Sequence, residues 1–502
     1  MTDNARKPVK VRTDAIEAFR SGNLPLARER LEWLTRKSPQ DWEAWNLLGA
    51  VHGMQGDLVL CEQCCRKALA MRPQIPMTWN NLGNALKDQG RLEEAASAYG
   101  KALELRPDYL EARNNLGDLL RIQGKPELAE RVLRALLVEK PGYAPAHNNL
   151  GVLLLGMGRL EEARTEFQTA ISIDSQQHDA LFNLGCASMA LDYSAEAEEC
   201  FHRYVARVPE NLMAWRSLSI LHVRRKAFTE AVACAQRAVA LNPQDPDSHF
   251  VLGDVFQTMG RQSDAASAYE HCLQLNPQHA GATHFLAVLH GETPESAPED
   301  YVRRLFDDYA PRFDNSLVNR LEYRTPQHIA RLVEEYVPGS GAELSLLDLG
   351  CGTGLVGPLV RDRCAYMAGV DLSPKMIEMA RRRGCYDELI VGDLLEPMRA
   401  ASAVYDVIVS ADVFVYIGNL EKVFHSAWKA LRVNGMFIFS IELERQGDGF
   451  ALRGSGRFAH TDRYIRSLAE STGFAVCHAE EVELRRESDA MIRGAVYVLA
   501  RL

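Results

Sequence analysis

Seven prolines, at positions 39, 73, 107, 141, 209, 243 and 277, fall on a single 34-residue lattice whose only vacant point is Ser175. A period of that length constrains the fold strongly: each unit is a short helix pair that cannot bury its apolar face alone, so successive copies must stack. Other positions keep the same phase. Trp45, Trp79 and Trp215 open repeats, Leu48, Leu82, Leu116, Leu150, Leu184, Leu218 and Leu252 follow three residues later, and a small residue, usually Gly, comes next. Gly56, Gly90, Gly124, Gly158 and Gly260 mark the turn inside each pair, and Ala95, Ala129, Ala163, Ala197, Ala231 and Ala265 allow the second helix to approach the first. Eight copies cover about residues 8–279, the first being degenerate, and the amphipathic stretch Gly281–His290 is expected to cap the stack.

This pattern resembles the tetratricopeptide repeat, which implies an all-α superhelix over residues 8–290 with a concave groove. Two residues after the Trp position stand Asn81, Asn115, Asn149 and Asn183, at successive 34-residue steps. A primary amide offers two donors and an acceptor, so a row of them can pair with the backbone of an extended protein or peptide segment. The row is similar to the asparagine ladder of O-linked N-acetylglucosamine transferases. The competing reading is that asparagine belongs to the repeat consensus and serves local structure. The carboxylate clamp of chaperone-binding repeats is not matched, because Met54, Asp88, Ile122 and Gly156 stand where it needs basic residues.

Charge and cysteines narrow the function classes. A net charge of −10 gives no global field for nucleic acid or an anionic membrane surface. The N-terminal stretch is too polar for a signal peptide and no segment approaches the ~20 apolar residues of a spanning helix, so a cytoplasmic protein is expected. Eleven scattered cysteines suit reduced thiols. Cys61, Cys64 and Cys65 lie on a repeat helix at core positions with no second CxxC or His pair at zinc spacing, so they read as packed thiols rather than a metal site.

The segment 291–300, GETPESAPED, lacks apolar periodicity and reads as a linker. Beyond it, over 301–502, short apolar runs alternate with helical patterns (LLDLG, MAGVDL, LIVGD, DVIVSADV, GMFIFSI), which indicates βαβ units and a parallel sheet. FAVCHAEEVEL and GAVYVLARL are expected to pair as an antiparallel hairpin at the sheet edge. The first strand runs into Asp348-Leu349-Gly350-Cys351-Gly352-Thr353-Gly354, where glycines let the backbone approach a ligand. Taken alone, Gly352 to Gly357 also fits the GxGxxG of dinucleotide-binding folds.

The wider set is Asp348 before GxGxG, Asp371-Leu372-Ser373 after the second strand, Gly392-Asp393 after the third, and the closing hairpin. It resembles class I S-adenosylmethionine-dependent methyltransferases, which have a Rossmann-like α/β fold. Leu305 to Asp314, with Leu321-Glu322-Tyr323-Arg324-Thr325-Pro326, resembles the lid helices of bacterial methyltransferases fused to tetratricopeptide repeats. The resemblance implies S-adenosylmethionine as cofactor. It places Gly350, Gly352 and Gly354 around the methionine portion, Asp348 at the amino group, Asp371 on the ribose and Asp393 at the adenine amine. Met376 would cover adenine and Tyr309 would close the methionine end. Transfer from a sulfonium requires no metal, and His460, Tyr464 and Tyr416 are the candidates for a base should the acceptor need to lose a proton. The fourth strand ends in Ser410-Ala411-Asp412-Val413 and lacks the Pro-Pro-aromatic pattern of base and amide N-methyltransferases. The expected activity is therefore S-adenosylmethionine-dependent methyl transfer, with the repeats holding a protein or peptide substrate or partner. Two alternatives stand beside it: a non-catalytic adaptor, and a small-molecule O-methyltransferase whose repeats serve assembly into oligomers.

Overall fold

In the computed structural model, which describes residues 3–314, 323–338, 343–487 and 490–502, the chain divides into two compact units, residues 1–189 and 190–502. Leu321 and Glu322 of the lid motif lie outside the described residues. No helix among the described residues is long and apolar enough to cross a membrane.

The first unit is built of antiparallel helix pairs, such as Pro76–Asp88 with Leu92–Leu105 and Leu110–Ile122 with Pro126–Glu139. The 34-residue lattice has a hydrogen-bond cause. Trp45 Nε1 donates to the Pro39 carbonyl at 2.9 Å and Trp79 Nε1 to that of Pro73 at 2.7 Å. Arg113 Nε and His147 Nε2 make the same bond to Pro107 and Pro141, at 2.7 and 2.8 Å. In these repeats the position carries an N–H donor six residues after the proline rather than tryptophan as such, whereas after the last lattice proline, Pro277, it is Thr283, whose hydroxyl donates to His279 O. At the vacant lattice point Ser175, the residue six further on is Leu181, so proline and donor are missing together.

Small residues on the first helix admit large ones from the second. A methyl group at Gly83 would lie 2.5 Å from the Tyr99 ring, and one at Gly151 would lie 2.6 Å from Phe167. The turn glycines, such as Gly90 at φ +78°, occupy the left-handed region. Cys61, Cys64 and Cys65 are buried in the repeat core, Cys65 filling the space above Gly49.

The second unit begins with further helix pairs of the same kind, ending at Ala280–His290. Trp215 and His249 repeat the donor bond to Pro209 and Pro243. Two of its turn positions carry Asp192 and Lys226 in place of glycine, at φ +66° and +61°. These left-handed residues cost roughly 1–2 kcal/mol each.

The segment read as a linker is bound into the fold. Ala297 N donates to Tyr416 O at 2.9 Å, and Gly418 and Asn419 both donate to Glu295 O at 2.8 Å. The capping helix is docked as well: His284 Nε2 donates to Gly456 O at 2.7 Å, and its ring stacks on Tyr301 at 4.8 Å. Absence of apolar periodicity therefore marks a short irregular segment here, not a free spacer.

The rest of the unit is a seven-stranded sheet in the order β3-β2-β1-β4-β5-β9-β8. Its strands are β1 (Leu344–Leu349), β2 (Cys364–Asp371), β3 (Glu388–Val391), β4 (Tyr405–Ser410), β5 (Leu431–Glu442), β8 (Phe474–Glu487) and β9 (Ala490–Arg501). A small hairpin, β6 (Phe450–Leu452) with β7 (Phe458–His460), lies outside it. Strands β1 to β5 are parallel, while β9 enters antiparallel between β5 and β8. The hairpin expected at the edge is thus inserted with its second strand inward. Both faces are covered, by clusters around Phe414, Phe424, Phe437 and Phe439 on one side and Ile329, Leu332, Met367 and Ile438 on the other. The strand order reverses between β1 and β4, which run parallel, and this opens a crevice at the carboxyl ends of the strands.

Candidate functional site

A cavity of about 630 Å³ opens at that crevice. Its floor includes Gly350 and Gly352 after β1, Asp371 and Leu372 after β2, Gly392 and Asp393 after β3, and Asp412 and Val413 after β4. The helix Glu299–Tyr309 and the turn after it roof the cavity with Phe306, Tyr309 and Phe313. These rings interlock with Tyr416, Phe306 meeting it edge-on at 5.3 Å and Tyr309 meeting Phe313 edge-on at 5.4 Å. Asp307 Oδ1 accepts from Ser373 Oγ at 2.6 Å, and Asp314 pairs with both Thr353 and Arg383. The roof is therefore tied to the loop it covers.

Asp371 is fixed by the backbone around it. Its Oδ2 accepts from Gly352 N and its Oδ1 from Ser373 N, each at 2.9 Å. Burial pushes its carboxyl up to about 6 against these two bonds. Asp348, expected at the amino group, does not line the cavity: it lies deeper, beneath the loop, with Oδ2 accepting from Tyr386 Oη at 2.7 Å and Oδ1 buried without a hydrogen-bond partner. Burial, opposed by the Tyr386 bond and helped by the Asp371 charge, raises it to about 7. Two acids held this way favour a cationic ligand, which restores their ionised forms.

The three loop glycines do different work. All have left-handed backbone, at φ +63°, +56° and +82° for Gly350, Gly352 and Gly354. A methyl group at Gly350 would lie 2.3 Å from Val413, and one at Gly354 would lie 2.9 Å from Tyr386. At Gly352 nothing is nearer than the Phe313 ring at 3.8 Å. Gly352 is thus the glycine with open space above it. Gly354 is absent from the cavity wall and serves the packing of Tyr386.

Several expectations need correction. Met376 is fully buried in the helix Pro374–Arg383 and does not reach the cavity, where Leu372 stands instead. His460 is fully buried on β7, its Nε2 donating to Gly418 O at 2.9 Å, and burial lowers it to about 4. It holds the hairpin and is not poised as a base. Tyr464 is likewise structural: its hydroxyl accepts from Leu420 N at 2.9 Å and donates to Asn419. Tyr416 does line the cavity, yet burial raises its hydroxyl further from a form that could take up a proton as a base. Tyr323 and Arg312, within the two lid motifs, line the cavity, as do Arg457 and Arg485, which sequence reasoning did not select. Arg485 is buried in ion pairs with Asp412 and Glu442. Its only sequence signal was a basic residue on an otherwise sheet-like run.

In the first unit the asparagines are bonded to each other. Asn115 Nδ2 donates to Oδ1 of Asn80 and Asn84, Asn149 Nδ2 to Asn114, and Asn183 Nδ2 to Asn148, all at 3.0 Å. Asn81 occupies the same half-buried position at the start of the row. The ladder therefore joins adjacent repeats side chain to side chain, and each bonded amide keeps only part of its capacity for a ligand.

Comparison with known proteins matches both halves. Residues 347–439 match the family described as a methyltransferase domain, and residues 13–76, 80–144, 120–184, 182–246 and 246–279 match tetratricopeptide-repeat families. The chain belongs to the tetratricopeptide-repeat proteins and carries a methyltransferase domain in its C-terminal part. It is 28% identical over 135 residues to a malonyl-[acyl-carrier protein] O-methyltransferase of Serratia marcescens, covering 26% of this chain and 52% of that one. It is 30% identical over 107 residues to a probable 18S rRNA (guanine-N(7))-methyltransferase of Dictyostelium discoideum, covering 21% and 37%. The chain thus spans about half or less of the length of these relatives. Among solved structures, the APC/C hetero-tetramer Cut9-Hcn1 aligns with a TM-score of 0.46 at 15% identity, covering 56% of this chain and 55% of that one.

Proposed function

We propose that the cavity binds S-adenosylmethionine and that the chain transfers its methyl group to an acceptor entering beneath the aromatic roof. The observation that carries this reading is the pair of buried acids, Asp348 with an unpartnered oxygen and Asp371 oriented by Gly352 and Ser373, at the carboxyl ends of adjacent strands. What supports a cationic nucleoside is Asp371 on the cavity wall, which we assign to the ribose hydroxyls, Gly352 with room for close approach, Asp393 in the lining, and the negative charge of Asp348, which lies beneath the loop outside the cavity lining and acts from there rather than by direct contact. Bound there, the cofactor supplies a methyl group already activated on sulfur.

The chain's own contribution is alignment and exclusion of water. Phe306, Tyr309, Phe313 and Tyr416 enclose the reacting end, and Tyr416 donates a hydrogen bond to the acceptor. None of the three base candidates is arranged to take a proton, so the reading favours an acceptor that arrives as a nucleophile, such as a carboxylate. Arg312 and Arg457 on the cavity wall suit an anionic acceptor, and the Serratia relative is named for methylation of a malonyl group. The repeats are assigned the binding of a protein or peptide that presents or localises this acceptor.

Calorimetry of the full chain with S-adenosylmethionine, S-adenosylhomocysteine and NAD tests the cofactor. Labelled-methyl transfer into a cell lysate, followed by mass spectrometry, tests the reaction. Binding of NAD in place of the sulfonium would refute the assignment.

A further inference from the structure

Among the described residues, one group of three metal-ligating side chains converges outside the cavity: Glu198, His202 and His222. Glu198 and His202 stand four residues apart on the helix Ser194–Val205, hence on one face, and His222 reaches them from the helix Leu212–Arg224. His202 Nε2 and His222 Nδ1 each lie 3.8 Å from the same oxygen, Glu198 Oε1. All three donor atoms fall within 4.8 Å of one another.

The group has a feature that packing does not explain. His222 is only 5% exposed, and its Nδ1 has no hydrogen-bond partner. A buried polar nitrogen left unsatisfied is unfavourable and asks for a ligand. The carboxylate is prepared for one, because Arg225 pairs with its other oxygen, Oε2, and leaves Oε1 facing the two imidazoles. His202 is half exposed and can swing to complete the set.

We propose that Glu198, His202 and His222 bind one divalent cation of the zinc class, joining two successive repeats. Two imidazole nitrogens and one carboxylate oxygen are the borderline donor set that zinc, cobalt and nickel accept. With ligand bonds of about 2.1 Å, tetrahedral donors sit about 3.4 Å apart, so the two imidazole–carboxylate separations of 3.8 Å need a contraction of a few tenths of an ångström, and the two imidazoles, within 4.8 Å of each other, close the rest by rotation of the exposed His202. The exposed side at His202 leaves the fourth position to water. The ion would clamp the two helices flanked by the left-handed, non-glycine turns at Asp192 and Lys226, where the repeat is locally least relaxed. The site is independent of the cofactor reading, since no cavity residue takes part.

The test uses the full chain, free of any affinity tag and stripped with a chelator, titrated with Zn²⁺ and separately with Co²⁺. The expected result is one Zn²⁺ per chain, a rise in melting temperature on addition, and visible absorption from four-coordinate Co²⁺. His202→Ala, at an exposed position, should keep its circular dichroism, bind Zn²⁺ at least tenfold more weakly and lose the melting shift. Glu198→Gln should do the same with the carboxylate neutralised. Failure of the stripped chain to take up Zn²⁺, or uptake equal to wild type in both variants, overturns the proposal.

Discussion

Asp371→Asn separates ligand recognition from folding at one atom. In the ligand-free chain both carboxylate oxygens are in use, Oδ2 by Gly352 N and Oδ1 by Ser373 N, each at 2.9 Å. The amide keeps one acceptor and sets an NH₂ group against the other backbone N–H, and it has no charge to offer ribose hydroxyls. A hydrogen bond to a charged group contributes about 1.5–3 kcal/mol. Losing it toward the ligand corresponds to a roughly 10- to 150-fold weaker dissociation constant for S-adenosylmethionine. Stability should move much less. Burial of the carboxylate is already unfavourable, as its rise to about 6 records, so the neutral amide relieves desolvation while it loses a backbone bond. Calorimetric titration of the full chain, with thermal unfolding as the folding control, reads both. An affinity within about twofold of wild type in a folded variant would refute the placement of the ribose. A collapse in melting temperature equal to the binding loss would show that Asp371 serves the loop alone.

The acids also impose a pH dependence: Asp348 at about 7 and Asp371 at about 6 are raised above the ordinary 3.8, so the folded chain holds extra protons across that window. Stability of the ligand-free chain should therefore fall as pH rises from about 4 to 7, while affinity for the cationic cofactor rises over the upper part of the window with proton release; a binding enthalpy independent of buffer ionisation would contradict this. Gly350→Ala should destabilise by about 2–5 kcal/mol in urea unfolding, combining left-handed strain with overpacking against Val413. Gly352→Ala, with open space above it, should lose only about 1–2 kcal/mol from the backbone, and equal losses in the two would be contrary to the glycine roles derived above. Asn115→Ala removes two inter-repeat bonds and should lower stability by about 1–3 kcal/mol, measured by denaturant unfolding; an unchanged midpoint would mean the ladder carries no stabilising load and return it to ligand binding.

The sequence by itself determined the repeat, its phase and the parallel sheet, because these follow from periodicity: prolines 34 residues apart, apolar runs alternating with helices, and glycines where a strand meets a ligand loop. It also determined the loop from Asp348 to Gly354 and the acid after β2. Tertiary structure alone decided which side chains face the cavity. Met376 and Leu372 lie four residues apart, yet only Leu372 reaches it, since Met376 is buried in the helix begun at Pro374. His460 and Tyr464 are near the site in sequence terms, but the His460 ring is fully buried with Nε2 bonded to Gly418 O, and the Tyr464 hydroxyl is bonded to Leu420 N. Arg457 and Arg485 reach the wall from late in the chain, through the β6–β7 turn and an edge strand that no local pattern could align. The asparagine rows show the same division: their spacing is plain in the sequence, but the bond from Asn149 to Asn114 spans 35 residues and exists only when neighbouring repeats stack. Local order is written by neighbours along the chain, whereas a site is made of contacts between residues far apart in it, and those are fixed only when the sheet order and helix packing are complete.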